Sequence, residues 1–386
     1  MRSVLSTNSS LGDAEAWVCL KVCLRASLPD VKKARLRWIL IGFLGLTLGV
    51  WGSWVPSSEA SADEAEASVP EAKAQTSLLN RPLERANRFA PAGVILDHTH
   101  AQGDWTFLYQ YERRSFDGLL SGSASISNAE VANTYPFVPL SHTEQVHTFG
   151  FMYAPRDRFT LAFMLPYVVK ELEQINGLKG NIRESLTTDG IGDARLILMM
   201  PFIRRGEQQT QFNVELSFPT GSIRVKGADG IRLPYLMQRG TGTWDVHYGI
   251  TYIGEKGIVS WGGQLGGQYR LSENSVGYRL GAQYQASGWL AGELFSWLSV
   301  SGRMEWIRTG NIHGEDPELV KSLSPLNNNM KQSGTLLQVG PGMNVLVPIF
   351  GGQRLAVEVL FPIYQDLDGP QLASGLTVTA GWQWLF

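Results

Sequence analysis

The sequence predicts an all-β fold, a transmembrane antiparallel β-barrel of twelve up-and-down strands that follows an N-terminal signal peptide. Three observations predict it: apolar and polar side chains alternate in segment after segment, long and short connections alternate, and the chain ends on aromatic residues. The composition agrees, because 42 glycines and 12 tryptophans with only 18% charged residues suit a large β-structure better than a cytosolic globule.

Alternation with a period of two marks each predicted strand. In "FNVELSF", for example, Val214 and Leu216 share one face of the strand, while Asn213 and Glu215 share the other. Such a pattern indicates strands with one apolar face. Twelve segments of this kind are predicted, at 105–113, 146–153, 159–168, 192–203, 210–218, 243–253, 258–271, 277–286, 297–307, 334–347, 354–364 and 376–386.

The connections between these segments differ in length by position. They are long after the first, third, fifth and ninth segments and short after the second, fourth, sixth and tenth. Outer-membrane barrels have short periplasmic turns and longer outside loops, whereas a soluble sandwich has no reason to sort its loops in this way. The pattern therefore predicts that residues 105–386 form a barrel in the outer membrane of a Gram-negative bacterium.

The region before the barrel contains targeting signals. Within residues 31–62, the basic stretch "VKKARLR" precedes the apolar run "WILIGFLGLTLGVWGSWV", and Ala60 and Ala62 provide an A-x-A cleavage spacing. This predicts a signal peptide; a transmembrane anchor is the alternative, because the apolar run just reaches spanning length. Residues 1–30 are interpreted as an overcalled leader. They contain both cysteines of the chain, so the mature protein would have no disulfide.

The last eight residues, "TAGWQWLF", predict how the barrel is assembled. Gly381, Trp384 and Phe386 occupy the positions of the C-terminal signal by which outer-membrane barrels are recognised. The aromatic side chains would also face lipid at the lower interface. We therefore expect the partners to include outer-membrane lipid and the barrel-assembly machinery. The formal net charge of −2 argues against a nucleic-acid binder that relies on phosphate contacts.

The same alternation predicts which charged side chains face the barrel interior. Six acids and four arginines could line a wet pore, or could form an ion-pair network that fills a narrow barrel. Both alternatives stay open. The charged and histidine candidates are Glu112, Asp193, Arg195, Glu215, Asp245, His247, Arg270, Arg279, Arg303, Glu305 and Glu358.

Residues 63–104 are predicted to form a periplasmic N-terminal segment. Its apolar "PAGVIL" stretch suggests that it tucks into the barrel as a candidate plug, followed by Asp97, His98 and His100. Two histidines two residues apart supply only part of a metal site, so a contact with the barrel is the favoured interpretation. No metal and no cofactor are predicted.

Several blocks of the sequence resemble the meta-pathway phenol-degradation transporter-like family of outer-membrane proteins, from about Ala90 to Phe386. The resemblance implies an outer-membrane barrel that transports a small molecule, and the family name suggests aromatic or apolar compounds. No binding residues can be transferred from it. The blocks are "APAGVILDHTHAQGDWTFLYQYERRSFDG", "FGFMYAPRDRFTLAFMLPYV", "GIGDARL", "LSFPTGSI", "LPYLMQRGTGTWD" and "RLAVEVLFPIYQDLDGPQL".

The expected function is therefore an outer-membrane channel or transporter for small molecules. One alternative is a structural barrel without transport. Another is an outer-membrane enzyme of the phospholipase type, which needs a serine and a histidine at the lipid face. His147 is the best candidate base, but no serine with suitable surroundings accompanies it. We therefore expect no enzyme.

Overall fold

The computed structural model describes residues 85–350 and 352–386. The predicted leader (1–30), the signal peptide (31–62) and the first part of the periplasmic segment (63–84) lie outside the described residues. Within the described ranges, no helix has both the length and the hydropathy needed to cross a bilayer.

Antiparallel strands dominate the described residues. They are β1 (Trp105–Gly122), β2 (Ala124–Ile126), β3 (Phe137–Arg156), β4 (Phe159–Asn176), β5 (Ile182–Ile191), β6 (Ala194–Arg205), β7 (Gln208–Phe218), β8 (Asp245–Lys256), β9 (Val259–Arg270), β10 (Tyr278–Arg279), β11 (Gln283–Phe295), β12 (Leu298–Thr309), β13 (His313–Gly314), β14 (Gly334–Val347) and β15 (Gln353–Leu385). The helices are α1 (Asn128–Ala132) and short 3-10 helices at Ala86–Arg88, Gly177–Lys179, Tyr235–Met237, Pro325–Asn327 and Asn329–Lys331.

Eleven of these strands close into a barrel. The order is β1, β3, β4, β6, β7, β8, β9, β11, β12, β14 and β15, and β15 returns to pair with β1. Backbone hydrogen bonds of 3.0 and 3.1 Å between Trp105 and Phe386 finish the seam. Outside the ring, β2 pairs with β1 and β5 pairs with β4, while β10 and β13 form a separate small sheet. Closure leaves the barrel without a free edge.

The predicted count of twelve strands is not reproduced as twelve separate elements. The last two predicted segments, 354–364 and 376–386, belong to the single 33-residue element β15. Its first part pairs with β14 and its second part pairs with β1. The backbone amide of Leu385 donates to the carbonyl of Gly352 at 3.1 Å, so both ends of β15 lie at the same rim and the element reverses between them. The reversal passes Gly369, whose φ is +155°.

The two rims of the barrel differ in their connections, in agreement with the predicted alternation. The rim that contains Trp105 and Phe386, here the terminal rim, has the short turns 157–158, 206–207, 257–258 and 296–297, and β14 ends and β15 begins at the same rim. The opposite rim, here the loop rim, has the long connections 123–136, 177–193, 219–244, 271–282 and 310–333.

One predicted strand is misplaced. The segment at 277–286 was expected to cross the barrel, but the crossing strand is β11, which extends to Phe295. Tyr278 and Arg279 instead pair with β13 in the small sheet of the loop rim. Tyr278 is almost fully buried there, so the alternation at this point reflects packing within the loops.

The two faces of the barrel have opposite character. On β7, Gln209, Gln211 and Ser217 are buried inside, whereas Val214 and the residues that alternate with it face outward. Large apolar side chains such as Leu265 and Leu290 are about 60% exposed on the outer face. A soluble protein would bury such side chains, so an apolar exterior around a polar interior fits a barrel surrounded by lipid.

Candidate functional site

Residues 85–104, here the floor segment, lie inside the barrel near the terminal rim. Ala86, Ala90 and Val94 are almost fully buried. An extended segment without a strand partner leaves its backbone carbonyls unpaired, and such groups need donors when they are buried. Side chains of the barrel wall supply these donors.

The donors come from strands on several sides of the barrel. The Gln110 side chain of β1 donates to the Ala92 carbonyl at 2.9 Å, and Gln211 of β7 donates to the Leu96 carbonyl at 2.5 Å. Ser299 of β12 donates to the Ala86 carbonyl at 2.9 Å. Asn344 of β14 donates to the Phe89 carbonyl at 3.2 Å, and Arg354 of β15 donates to the Ala90 carbonyl at 2.5 Å. The floor segment is therefore attached around the interior.

The predicted plug residues fix one bend of the floor segment. Asp97 is buried; it accepts a hydrogen bond of 2.8 Å from the Ala90 amide and lies 2.6 Å from the Nδ1 atom of His98. Burial opposes its ionisation, but His98 and Arg354 outweigh this effect and lower the pKa of the Asp97 carboxyl. Burial lowers the pKa of His100, which favours its neutral form. The His98 and His100 rings lie 4.9 Å apart, edge to face.

These residues pack against one another and hydrogen-bond to the barrel wall. The His100 amide donates to the Thr160 hydroxyl of β4 at 3.0 Å, which ties the bend to the wall. In the part of the chain that the structure describes, no group of three or more histidine, cysteine or acidic side chains is arranged to hold a metal ion.

The floor segment crosses directly over an ion pair of the wall. The Gly93 amide donates to Glu358 at 3.1 Å, and Glu358 pairs with Arg303 at 2.8 Å. A Cβ atom on Gly93 would overlap both the guanidinium and the carboxylate. A larger residue at position 93 would therefore have to displace the ion pair or the floor segment.

The long connections form a second barrier at the loop rim, here the roof. Its apolar core joins strand ends and loops and consists of Leu119, Val131, Tyr135, Val138, Leu172, Leu233, Met237, Leu326 and Leu372. Lys170 of β4 attaches the 219–244 connection to the wall, because its ammonium group donates to the carbonyls of Leu236 and Gln238 at 2.9 and 2.8 Å. Glu144 of β3 neutralises Lys170 at 3.1 Å.

A chamber of about 560 Å³ separates the floor from the roof. Gly93, Ile95 and Leu96 border it from the floor segment, and Gln332 and Leu372 border it from the roof. Six of the predicted interior residues line its wall: Glu112, Arg195, Glu215, His247, Arg303 and Glu305.

The remaining predicted interior residues lie elsewhere. Asp245 and Arg270 form a buried pair at 3.6 Å, and Glu358 lies under Gly93. Asp193 accepts backbone hydrogen bonds from Gly221 and Thr241 at 2.8 and 2.7 Å, and burial raises the pKa of its carboxyl.

Arg279 is not an interior residue of the barrel sheet. It lies on β10 in the small sheet of the loop rim, and its guanidinium lies 5.9 Å from the Tyr269 ring centroid. The expectation for Arg279 was wrong because it followed from the misplaced strand at 277–286.

Ion pairs balance the charges that face the chamber. Arg195 lies 3.4 Å from Glu215, and Arg303 lies 3.0 Å from Glu305. Arg114, which was not predicted, pairs with Glu112 at 2.5 Å and also borders the chamber. Three carboxylates and three guanidinium groups therefore line one cavity. The interior thus combines the two alternatives left open by the sequence, an ion-pair network and an unfilled space.

The predicted assembly signal lies at the terminal rim. The Trp384 and Phe386 rings are 5.0 Å apart, and Phe386 is 58% exposed. Gly381 pairs with Gln110 in the seam between β15 and β1. His147, the candidate base of the enzyme alternative, lies 2.8 Å from the Tyr109 hydroxyl.

A closed antiparallel barrel, apolar outside and polar inside, is the architecture of outer-membrane β-barrel proteins. An outer-membrane channel of Pseudomonas putida F1 shares this fold with a TM-score of 0.55, at 11% identity over 77% of this chain and 100% of the channel. A Pseudomonas aeruginosa FadL homologue (6% identity, 73% and 90% coverage) and the P. putida toluene transporter TodX (11% identity, 73% and 89% coverage) each give a TM-score of 0.37, too low to support an argument.

No family model and no curated protein matches this sequence. The Pseudomonas putida F1 channel shares the barrel fold, and the phenol-degradation family stays a resemblance in sequence blocks alone.

Proposed function

We propose that this protein is an outer-membrane channel for small molecules in a Gram-negative bacterium, and that solute crosses through the chamber when the floor and the roof move. The observation that carries the proposal is the chamber itself. The floor segment borders it on one side, and the loops and strand ends of the roof border it on the other.

The attachment of the floor favours a movable closure. Its carbonyls bond to side chains of the wall, so it can leave without breaking a strand pair of the barrel. Each such hydrogen bond contributes about 1 kcal/mol net, which allows release without unfolding of the sheet. A purely structural barrel could instead fill this space with side chains, as narrow barrels do.

Single-channel recording tests the proposal. The mature chain in planar bilayers should show rare or small openings, and a chain truncated to begin at Gly103 should conduct steadily. Heat-modifiable migration on gels would verify that the truncated barrel is folded. A folded truncated barrel that conducts no better than the mature chain would contradict the proposal and favour a barrel without transport.

The recognition of Gly381, Trp384 and Phe386 by the barrel-assembly machinery is part of the same proposal, because a channel of this kind must be inserted into the outer membrane. The aromatic or apolar solutes implied by the sequence resemblance stay a prediction. The side chains that line the chamber favour a different class of solute.

A further inference from the structure

We propose that the solute of this channel is a small uncharged molecule rich in hydroxyl groups, such as a sugar or a polyol. The inference rests on the proposed channel function and concerns the same chamber. The carrying observation is the number of carboxamide side chains that border it. They are Asn213, Gln264, Gln268, Gln283, Gln285, Gln332, Gln338, Gln365 and Gln371.

A carboxamide is suited to hydroxyl groups because it both donates and accepts hydrogen bonds, as a hydroxyl does. Six of these glutamines are held in place by neighbours; for example, Gln338 donates to Glu305 at 2.6 Å and Gln264 donates to Thr251 at 3.0 Å. In contrast, the side-chain amides of Gln283 and Gln285 of β11 have no hydrogen bond to any residue that the structure describes. These two amides are available to a solute.

The balanced charges of the chamber argue against an ionic solute. Each of Arg114, Arg195 and Arg303 already pairs with a glutamate of the wall. An incoming ion would have to compete for these groups, because a narrow interior offers little water to replace the lost partner. The chamber therefore presents oriented polar groups without an excess of either charge.

An apolar solute fits the wall poorly as well. It would displace water from the carboxamides and leave donors and acceptors unpaired, which costs free energy at each group. Apolar residues also border the chamber, including Leu96 in the floor segment, Leu372 in the roof, and Ile307 and Leu336 on the wall strands β12 and β14. The volume of about 560 Å³ falls within the usual range of small-molecule sites, roughly 300–1,000 Å³.

Osmotic swelling of vesicles that contain the mature chain tests this inference, with ribitol as the probe. The native chain should admit ribitol faster than protein-free vesicles. The double variant Gln283→Leu with Gln285→Leu should slow entry about fivefold, the rate equivalent of one lost hydrogen bond. Gln283→Asn with Gln285→Asn keeps the amides and should retain most of the rate. Gln208→Leu, on the outward face at the start of β7, is the matched control.

Potassium conductance of the same preparations separates the two proposals. Conductance without ribitol entry, or ribitol entry unaffected by the folded leucine variant, would overturn the solute class and leave the channel function standing. The absence of both potassium conductance and ribitol entry in the folded native protein would overturn the channel function together with this inference.

Discussion

Arg303 and Glu358 form a two-point ion pair, with Nε to Oε1 at 2.9 Å and Nη2 to Oε2 at 2.8 Å. They belong to β12 and β15, which are separated by β14. The intervening strand places Gly340 opposite Arg303 and Gly342 opposite Glu358. Because these glycines have no side chain, the pair meets across β14 and supports the floor segment from one side.

Gly93→Ala should displace the floor segment, because the new methyl group would overlap the ion pair. We expect a clear increase in single-channel conductance with the barrel still folded. Gly302→Ala is the control, since a Cβ atom there meets nothing within 4 Å. Unchanged conductance of a folded Gly93→Ala protein would show that the floor adapts to the methyl group or does not restrict passage.

Lys170→Met should loosen the roof. The substitution removes the charged donor that bonds to the Leu236 and Gln238 carbonyls, and such hydrogen bonds are stronger than neutral ones. We expect amide hydrogen exchange in the 219–244 connection to accelerate by about tenfold or more. Lys179→Met is the control, because its pair with Glu184 at 3.7 Å is exposed. Equal exchange in both variants would show that the apolar core alone holds the roof.

Val214→Arg should destabilise the barrel far more than Asn213→Arg. Val214 faces outward on β7, whereas Asn213 borders the chamber. An arginine on the lipid face near the midplane costs roughly 2–4 kcal/mol. The free energy of unfolding, measured in reversible folding into lipid, gives the comparison. Equal losses would contradict the proposed lipid environment of this face.

Phe386→Asp should reduce the amount of assembled barrel. The substitution removes the terminal aromatic of the proposed signal and the ring that packs against Trp384. Heat-modifiable migration of protein from outer membranes measures the folded fraction. Phe350→Asp is the matched control, because Phe350 is also an exposed aromatic near the terminal rim and has a positive φ that aspartate tolerates. A normal folded fraction for Phe386→Asp would remove its assigned role.

The sequence predicted the features that depend on side-chain alternation. The inward position of Glu215 and the outward position of Val214 follow from the period of two and hold in the structure. At Tyr278 the same alternation predicted the wrong strand, because this segment packs within the loops instead of crossing the barrel. An alternating pattern indicates that one face of a segment is buried, but it does not indicate which part of the protein covers that face.

The partners of the floor segment could not be predicted for a different reason. Gln211 and Arg354 donate to carbonyl groups that are far away in the sequence, and every residue has such a carbonyl group. The sequence feature that pointed to these partners was the large number of inward-facing amide and hydroxyl side chains on several strands. It indicated a polar interior but not the extended backbone that those groups hold.

The hydrogen bonds to the carbonyls of Ala86, Phe89, Ala90, Ala92 and Leu96 have a consequence for recognition. The wall binds the main chain at these carbonyls, and a few residues add contacts: Gly93, the Asp97 bend, and Arg85 and Arg88, which pair with Glu293 and Glu255 of the wall. A separate synthetic peptide covering residues 85–104 should therefore rebind to a barrel that lacks this segment, and scrambled peptides that keep those residues in place should compete with it. The floor segment thus binds the barrel wall as a peptide ligand binds a receptor, although both belong to one chain.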